Sequence, residues 1–305
     1  MTSTRKRMVV TGRQGQVVQS LLERGQNGPF EIITLGRPEL DLSRPDVIDA
    51  VLRAAEPDVI VSAAAYTAVD QAETDEEAAT VVNGVAAGKI AETAAALGVP
   101  MIHLSTDYVF DGSKLAPYVE TDPVAPIGAY GRSKLAGERA VAAASSDHAI
   151  LRTAWVYSPF GKNFLKTMLK LAESRDSLNV VNDQIGNPTS ALDIADAVLQ
   201  VAQNLLRSDA PDLRGIFHIT GTGECNWAEF ATAIFAQSEA HGGPHAAVKG
   251  ILSAQYPTPA KRPANSRLDC TLLNARHGVR IPDWRDSTAQ VVGRLLNHNH
   301  TDGQQ

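Results

Sequence analysis

The chain has 305 residues, 44% of them hydrophobic and 20% charged, with a formal net charge of -6. That balance excludes disordered and fibrous polymers, and an acidic chain with no basic stripe argues against a nucleic-acid partner. Nowhere do about eighteen apolar residues run unbroken, so no membrane span is expected. Cys225 and Cys270 stand in no metal-ligand spacing, so no metal and a reduced, cytoplasmic setting are expected.

The basic opening is followed only by Met8, Val9 and Val10 before Thr11-Gly12, which is too short for a signal-peptide core. In chain order, strands are predicted at Arg7–Thr11, Glu31–Leu35, Asp58–Ser62 and Met101–Ser105, with helices between them at Gln16–Arg24, Pro45–Ala55 and Thr74–Leu97. The strands are almost continuously apolar, as strands covered on both faces must be. Alternation of this kind predicts an α/β fold with a Rossmann-like, doubly wound parallel sheet, extended by a strand at Ala149–Thr153. The third helix opens on acidic residues suited to a helix start, and Glu73–Glu77 is read as a solvated patch.

After Trp155 the rhythm loosens. Helices are predicted at Phe164–Glu173, Ala191–Leu206, Trp227–Ser238 and Ser287–Asn297, and strands at Leu178–Val181 and Ile216–Thr220, among loops rich in Pro and Gly. This half reads as a smaller, irregular C-terminal substrate lobe closing over the sheet's carboxyl edge. The expected division is 1–154 for the cofactor domain and 155–305 mainly for the lobe, with some segments returning to the Rossmann core. The polar tail His298–Gln305 is expected to fray.

Gly12 and Gly15 fall where the first strand hands over to the first helix. A turn there lets backbone N–H groups at the helix start face a pyrophosphate. Val18 stands where the common fingerprint has a third glycine. At the end of the second strand, no acid follows until Glu39 and Asp41, whereas an acid there would bind the ribose hydroxyls of NAD. Arg37 can pair with a 2′-phosphate, so NADPH is the expected cofactor, with NADH as the alternative. Asp41 and Leu42, next along the same loop, are included among the expected cofactor contacts.

Tyr130 and Lys134 lie four apart and share a face if their segment is helical. Free tyrosine has a pKa of about 10, and a nearby ammonium favours the phenolate and fits Tyr130 for proton exchange. Thr106 follows an apolar strand, so it lies at the carboxyl edge where ligands bind in open α/β sheets. Its hydroxyl can orient a substrate carbonyl beside Tyr130; strand alternation turns Ser105 to the other face.

These residues place the chain in recognisable company. The segments Gly12-Arg-Gln-Gly15-Gln, Ala63-Ala-Ala-Tyr66-Thr-Ala-Val-Asp70, Ser105-Thr-Asp-Tyr108-Val-Phe-Asp111-Gly, Tyr130-Gly-Arg-Ser-Lys134 and Arg262-Pro-Ala-Asn-Ser266-Arg resemble those of the dTDP-4-dehydrorhamnose reductases. That family is a branch of the extended short-chain dehydrogenase/reductases, and the likeness runs nearly end to end. The resemblance implies a catalytic triad of Thr106, Tyr130 and Lys134, acting on a dTDP-sugar in the last step to dTDP-L-rhamnose. It implies pyrophosphate contacts at Gly12, Gln14, Gly15 and Gln16, with Ala63, Ala64, Ala65 and Tyr66 beside the cofactor ribose. Asp107, Tyr108 and Trp155 would bound the sugar pocket, and Arg262 or Arg267 would reach the nucleotide phosphates. A homodimer is compatible with the resemblance. Ala154 and Cys225 depart from the family pattern and leave the triad untouched. The rival readings are a sugar-nucleotide epimerase or another keto-reductase with the same triad, and a non-catalytic NADP-binding regulatory subunit, against which the intact triad argues.

Overall fold

Residues 5–301 are described by the structure, a computed structural model. The apolar run Met8–Val10 forms the buried centre of β1 (Lys6–Thr11), which leads into α1 (Gln16–Arg24) and β2 (Phe30–Leu35). Then come α2 (Ile48–Ala54), β3 (Val59–Ser62), α3 (Val69–Ala72), α4 (Glu76–Thr80), α5 (Ala86–Leu97), β4 (Met101–Thr106), α6 (Ala129–Ala144) and β5 (His148–Thr153). The second half begins with β6 (Val156–Tyr157), α7 (Phe164–Ala172), β7 (Ser177–Val181), β8 (Ile185–Gly186), β9 (Thr189–Ser190) and α8 (Ala191–Arg207). It ends with β10 (Gly215–His218), β11 (Cys225–Asn226), α9 (Trp227–Ala240), β12 (Ala247–Ile251), α10 (Thr271–His277) and α11 (Trp284–Thr301).

Six strands form one sheet in the order β10-β5-β4-β3-β1-β2, all paired in parallel. The doubly wound α/β architecture expected from the alternation is the one observed. From β1 the chain moves to β2 on one side and returns to β3 on the other, so a crevice opens over the carboxyl ends of β1 and β3. On one face, Val18 and Leu21 of α1 join Ile194, Val198 and Val201 of α8 over Met8, Val10 and Val61. On the other, Ile48, Leu52, Ile90 and Val141 cover Val9, Ile60, Met101 and Ile150. Each such side chain contributes roughly 1.5–3 kcal/mol when fully buried. Small residues let α6 approach very closely: a Cβ at Gly137 would stand 2.1 Å from the Asn83 carbonyl. A second core holds Tyr157, Leu165, Met168, Phe230, Ile234, Trp284 and Val292, beneath the irregular lobe.

Three features differ from the sequence reading. The expected helix Thr74–Leu97 is broken into α4, a π-helical turn at Val81–Val85, and α5. The strand expected at Ile216–Thr220 ends at His218; as β10 it pairs with β5 at the edge of the main sheet, a return of the kind expected, and buries Phe217. The chain stays helical to Thr301 rather than fraying from His298, and the rest of that tail lies outside the described residues. No helix among the described residues is long and apolar enough to cross a membrane.

Candidate active site

Gly12 takes φ +100°, a left-handed conformation that favours glycine, and its N–H donates to the Leu35 carbonyl at 2.6 Å. A Cβ there would meet Ala64 and Val18, each at 3.3 Å. Gly15 caps α1 with extended backbone and no side-chain hydrogen bond, so the first N–H groups of the helix remain open to an anion. Across the crevice, Thr11 Oγ1 accepts from the N–H groups of Ala63 (3.0 Å) and Ala64 (3.1 Å), which ties the exit of β3 to the glycine turn. The turn, with glycine at each end and exposed Gln14 within it, suits the pyrophosphate of a dinucleotide.

Gln16 belongs to the turn in a different way from that expected. Its Oε1 accepts from Ser158 Oγ (2.8 Å) and Asn163 Nδ2 (2.9 Å), so its side chain links α1 to the second lobe. At the end of β2, Arg37 is exposed, and Arg13 crosses Gly36 to donate to the Arg37 carbonyl at 3.3 Å and pair with Glu39 at 2.7 Å. Two arginines, Arg13 and Arg37, thus stand together at the end of β2. Arg13 was legible as the residue between the two glycines. Two expected contacts are corrected. Leu42 is 8% exposed and packs with Ile48 and Leu52 in the core. Asp41 accepts from the N–H (3.0 Å) and hydroxyl (2.8 Å) of Ser43, bonds that hold its carboxyl below the usual range and occupy it in its own turn.

The candidate catalytic residues meet where β4 ends and α6 begins. Ala129 N donates to Glu73 Oε1 at 2.9 Å, and Arg132 meets both oxygens of Glu76 at 2.7 Å. The acidic patch is thus docked on the start of α6 rather than simply solvated. Tyr130 stands edge-on to Tyr108 at 5.5 Å between ring centres, beside the Thr106 hydroxyl. Thr106 Oγ1 donates to Asp107 Oδ1 at 2.9 Å and accepts from Tyr108 N at 3.2 Å. Burial pushes the Tyr130 phenol up and the Asp107 charge adds to this, while Thr106 opposes it.

Lys134 departs from the expected arrangement. Its buried ammonium donates to the Leu104 carbonyl at 2.7 Å. The carbonyl at the end of β4 captures the ammonium first. Burial brings Lys134 down to about 8, opposed by Glu138. Tyr66 packs with Tyr130 around Ala72, Ala79 and Ala129, and its hydroxyl donates to Asp75 at 3.2 Å. Asn83, which the sequence reading passed over, accepts from Tyr66 N (2.8 Å) and donates to Tyr66 O (3.1 Å) and Ser133 Oγ (2.9 Å). It sits in the π-helical turn, a feature frequent at functional sites. A lone amide in an alanine-rich helix was the available signal.

Among the residues expected to bound the sugar, burial raises Asp107 to about 6. Arg262 pairs with Asp70 at 2.9 Å and bonds Thr258, and its charge is felt by Tyr108. Arg267 is instead spent on protein partners: both oxygens of Glu224 at 3.0 Å, Asn265 at 2.8 Å, and the Leu115 carbonyl. Trp155 takes φ +48°, unusual for a bulky residue, and stacks on Trp227 at 3.6 Å. A Cβ on Gly186 would lie 2.5 Å from the Trp155 ring, so that ring is built into the second core rather than left open. Ser190 caps α8, its hydroxyl accepting from Leu192 N. Among the described residues, no group of His, Cys, Asp and Glu could hold a metal ion.

The family model described as RmlD substrate binding domain matches residues 6–297. A dTDP-4-dehydrorhamnose reductase of Sinorhizobium fredii is 53% identical over 291 residues, covering 95% of this chain and 98% of that protein. The crystal structure of a dTDP-4-dehydrorhamnose reductase from Clostridium acetobutylicum superposes with a TM-score of 0.88 at 34% identity, covering 95% of this chain and 99% of the other. The Bacillus anthracis dTDP-4-dehydrorhamnose reductase in complex with NADP gives a TM-score of 0.88 at 31% identity, over 95% of this chain and 100% of the other. With matches of this extent in sequence and in structure, the chain belongs to the RmlD family of dTDP-4-dehydrorhamnose reductases.

Proposed function

We propose that this chain is an NADPH-dependent reductase that converts dTDP-4-dehydro-L-rhamnose to dTDP-L-rhamnose, acting in the cytoplasm on a soluble dTDP-sugar without a nucleic-acid partner. When bound, NADPH supplies the hydride that reduces C4 of the sugar. The Gly12–Gly15 turn holds the pyrophosphate, and Arg13 and Arg37 take the 2′-phosphate. The hydroxyls of Thr106 and Tyr130 hydrogen-bond the C4 carbonyl, and Tyr130 gives its Oη proton to the oxygen as negative charge develops there. A phenol pushed up by burial is fully protonated at neutral pH, the form a reductase needs. Lys134, brought down to about 8, is still mostly charged at neutral pH and holds the cofactor ribose. Its acid form is lost as pH rises through that value, so activity falls on the alkaline side. Arg262, aimed by Asp70, reaches the substrate diphosphate. Arg267 is too fully paired for that task.

The observation that carries this reading is the meeting of Thr106, Tyr130 and Lys134 at one carboxyl edge, next to a glycine turn open to a pyrophosphate. Mixing the purified protein with NADPH and dTDP-4-dehydro-L-rhamnose tests it. The absorbance of NADPH is expected to fall in equal proportion to the dTDP-L-rhamnose formed. Unchanged NADPH, or a product differing only in configuration, contradicts it.

A further inference from the structure

Beneath the catalytic edge lies a buried ion pair that the chemistry above does not use. Glu138 is on α6, one helical turn after Lys134, and is 3% exposed; Arg152, on β5, is 2% exposed. Arg152 Nε and Nη2 donate to the two carboxylate oxygens at 2.9 and 2.7 Å. The same carboxylate accepts from Ser105 Oγ at 2.5 Å. Ser105 faces Arg152 in the β4–β5 register, between Leu104, whose carbonyl holds Lys134, and Thr106. One carboxylate thus pins three elements at the point where the triad assembles. Stability alone does not explain it, because well-packed apolar residues in place of a buried ion pair are often as stable or more so.

The surroundings of Lys134 sharpen the point. On its own helix it has Tyr130 and Glu138; from β4 it has His103, which burial keeps neutral; from β5 it has Arg152, on the far side of Glu138. Among the described residues, Glu138 is the charge that counteracts the burial of the ammonium.

We propose that Glu138 is a positioning residue for the reduction: held by Arg152 and bonded to Ser105, its carboxylate fixes the end of β4 that carries Thr106 and stands one helical turn from the Lys134 ammonium that this strand holds. This rests on the reductase reading above. The test is the titration of Lys134 in the free protein, followed by NMR with isotope-labelled lysine. The Lys134 signal is identified by its loss in Lys134→Arg. In Glu138→Gln its midpoint should fall by about one pH unit, the scale of losing a neighbouring opposite charge. The alkaline limb of kcat/KM should move by the same amount. Glu138→Asp keeps the charge and should keep the midpoint, even where turnover drops. The double variant Glu138→Gln/Arg152→Gln leaves neither partner of the ion pair behind; its midpoint should fall by less, because a positive charge leaves with the carboxylate, and it serves if the single variant does not fold. An unmoved Lys134 midpoint in the Gln variants, with activity lowered evenly at all pH, overturns the proposal. Because that titration needs neither substrate nor cofactor, an inactive wild-type protein would sink the reductase reading while Glu138 is still judged separately.

Discussion

Arg37 is singled out in the sequence by what is missing around it, since no acid follows β2 until Glu39. The structure adds Arg13, which crosses Gly36 and contacts the Arg37 backbone. A phosphate held by two guanidinium groups should respond to either one. We expect Arg37→Ala to raise the KM for NADPH on the order of ten- to a hundredfold, the worth of a charge-assisted hydrogen bond. Arg13→Ala should do the same, and neither should move the KM for NADH comparably. Steady-state kinetics with both cofactors decide it, and equal effects on the two would remove the assignment. Residues such as Leu42 and Arg267 show where reading by position stops. Both stand in recognisable segments, yet Leu42 turns into the core and Arg267 is consumed by Glu224 and Asn265. Partners that far away in sequence leave no local trace.

At the scale of elements, the strands were legible because a doubly covered strand must be apolar along its whole length. The start of α6 was legible from Tyr130 and Lys134, but what holds it was not. Glu73 reaches across 56 residues to the Ala129 N–H, and Arg132 reaches as far back to Glu76. Read locally, an acidic run before an alanine-rich stretch is a helix start facing solvent. The break at Val81–Val85 was hidden for the same reason, since Asn83 is committed to Tyr66 and Ser133 and not to neighbours along its own helix. If Glu73 anchors α6, Glu73→Ala should cost about 1 kcal/mol, as losing a helix cap does, and lower Tm by roughly 2 °C in a chain of this size. Turnover should drop with it, because Tyr130 is the second residue of the helix. Thermal denaturation and turnover indistinguishable from wild type would return Glu73 to the solvent.

Over the whole molecule, the chain builds a core on the sheet and a core in the lobe, and polar contacts link its two halves. Gln16 bridges the turn after β1 to Ser158 and Asn163, so the cofactor turn and the lobe are mechanically linked. The first half was readable as strand and helix in alternation. The second was readable only in part, because α8 and β10 return to the sheet from within a stretch whose rhythm is broken by Pro and Gly loops. Motif residues are most legible near the carboxyl edge, where several elements converge and each leaves its own signature. The central claim is that the Tyr130 phenol gives the proton to the reduced C4 oxygen. Its most direct test is the turnover of Tyr130→Phe alongside NADPH binding to the same variant. The account predicts retained binding and a loss of roughly two to four decades in turnover; near-normal turnover in that variant would contradict it.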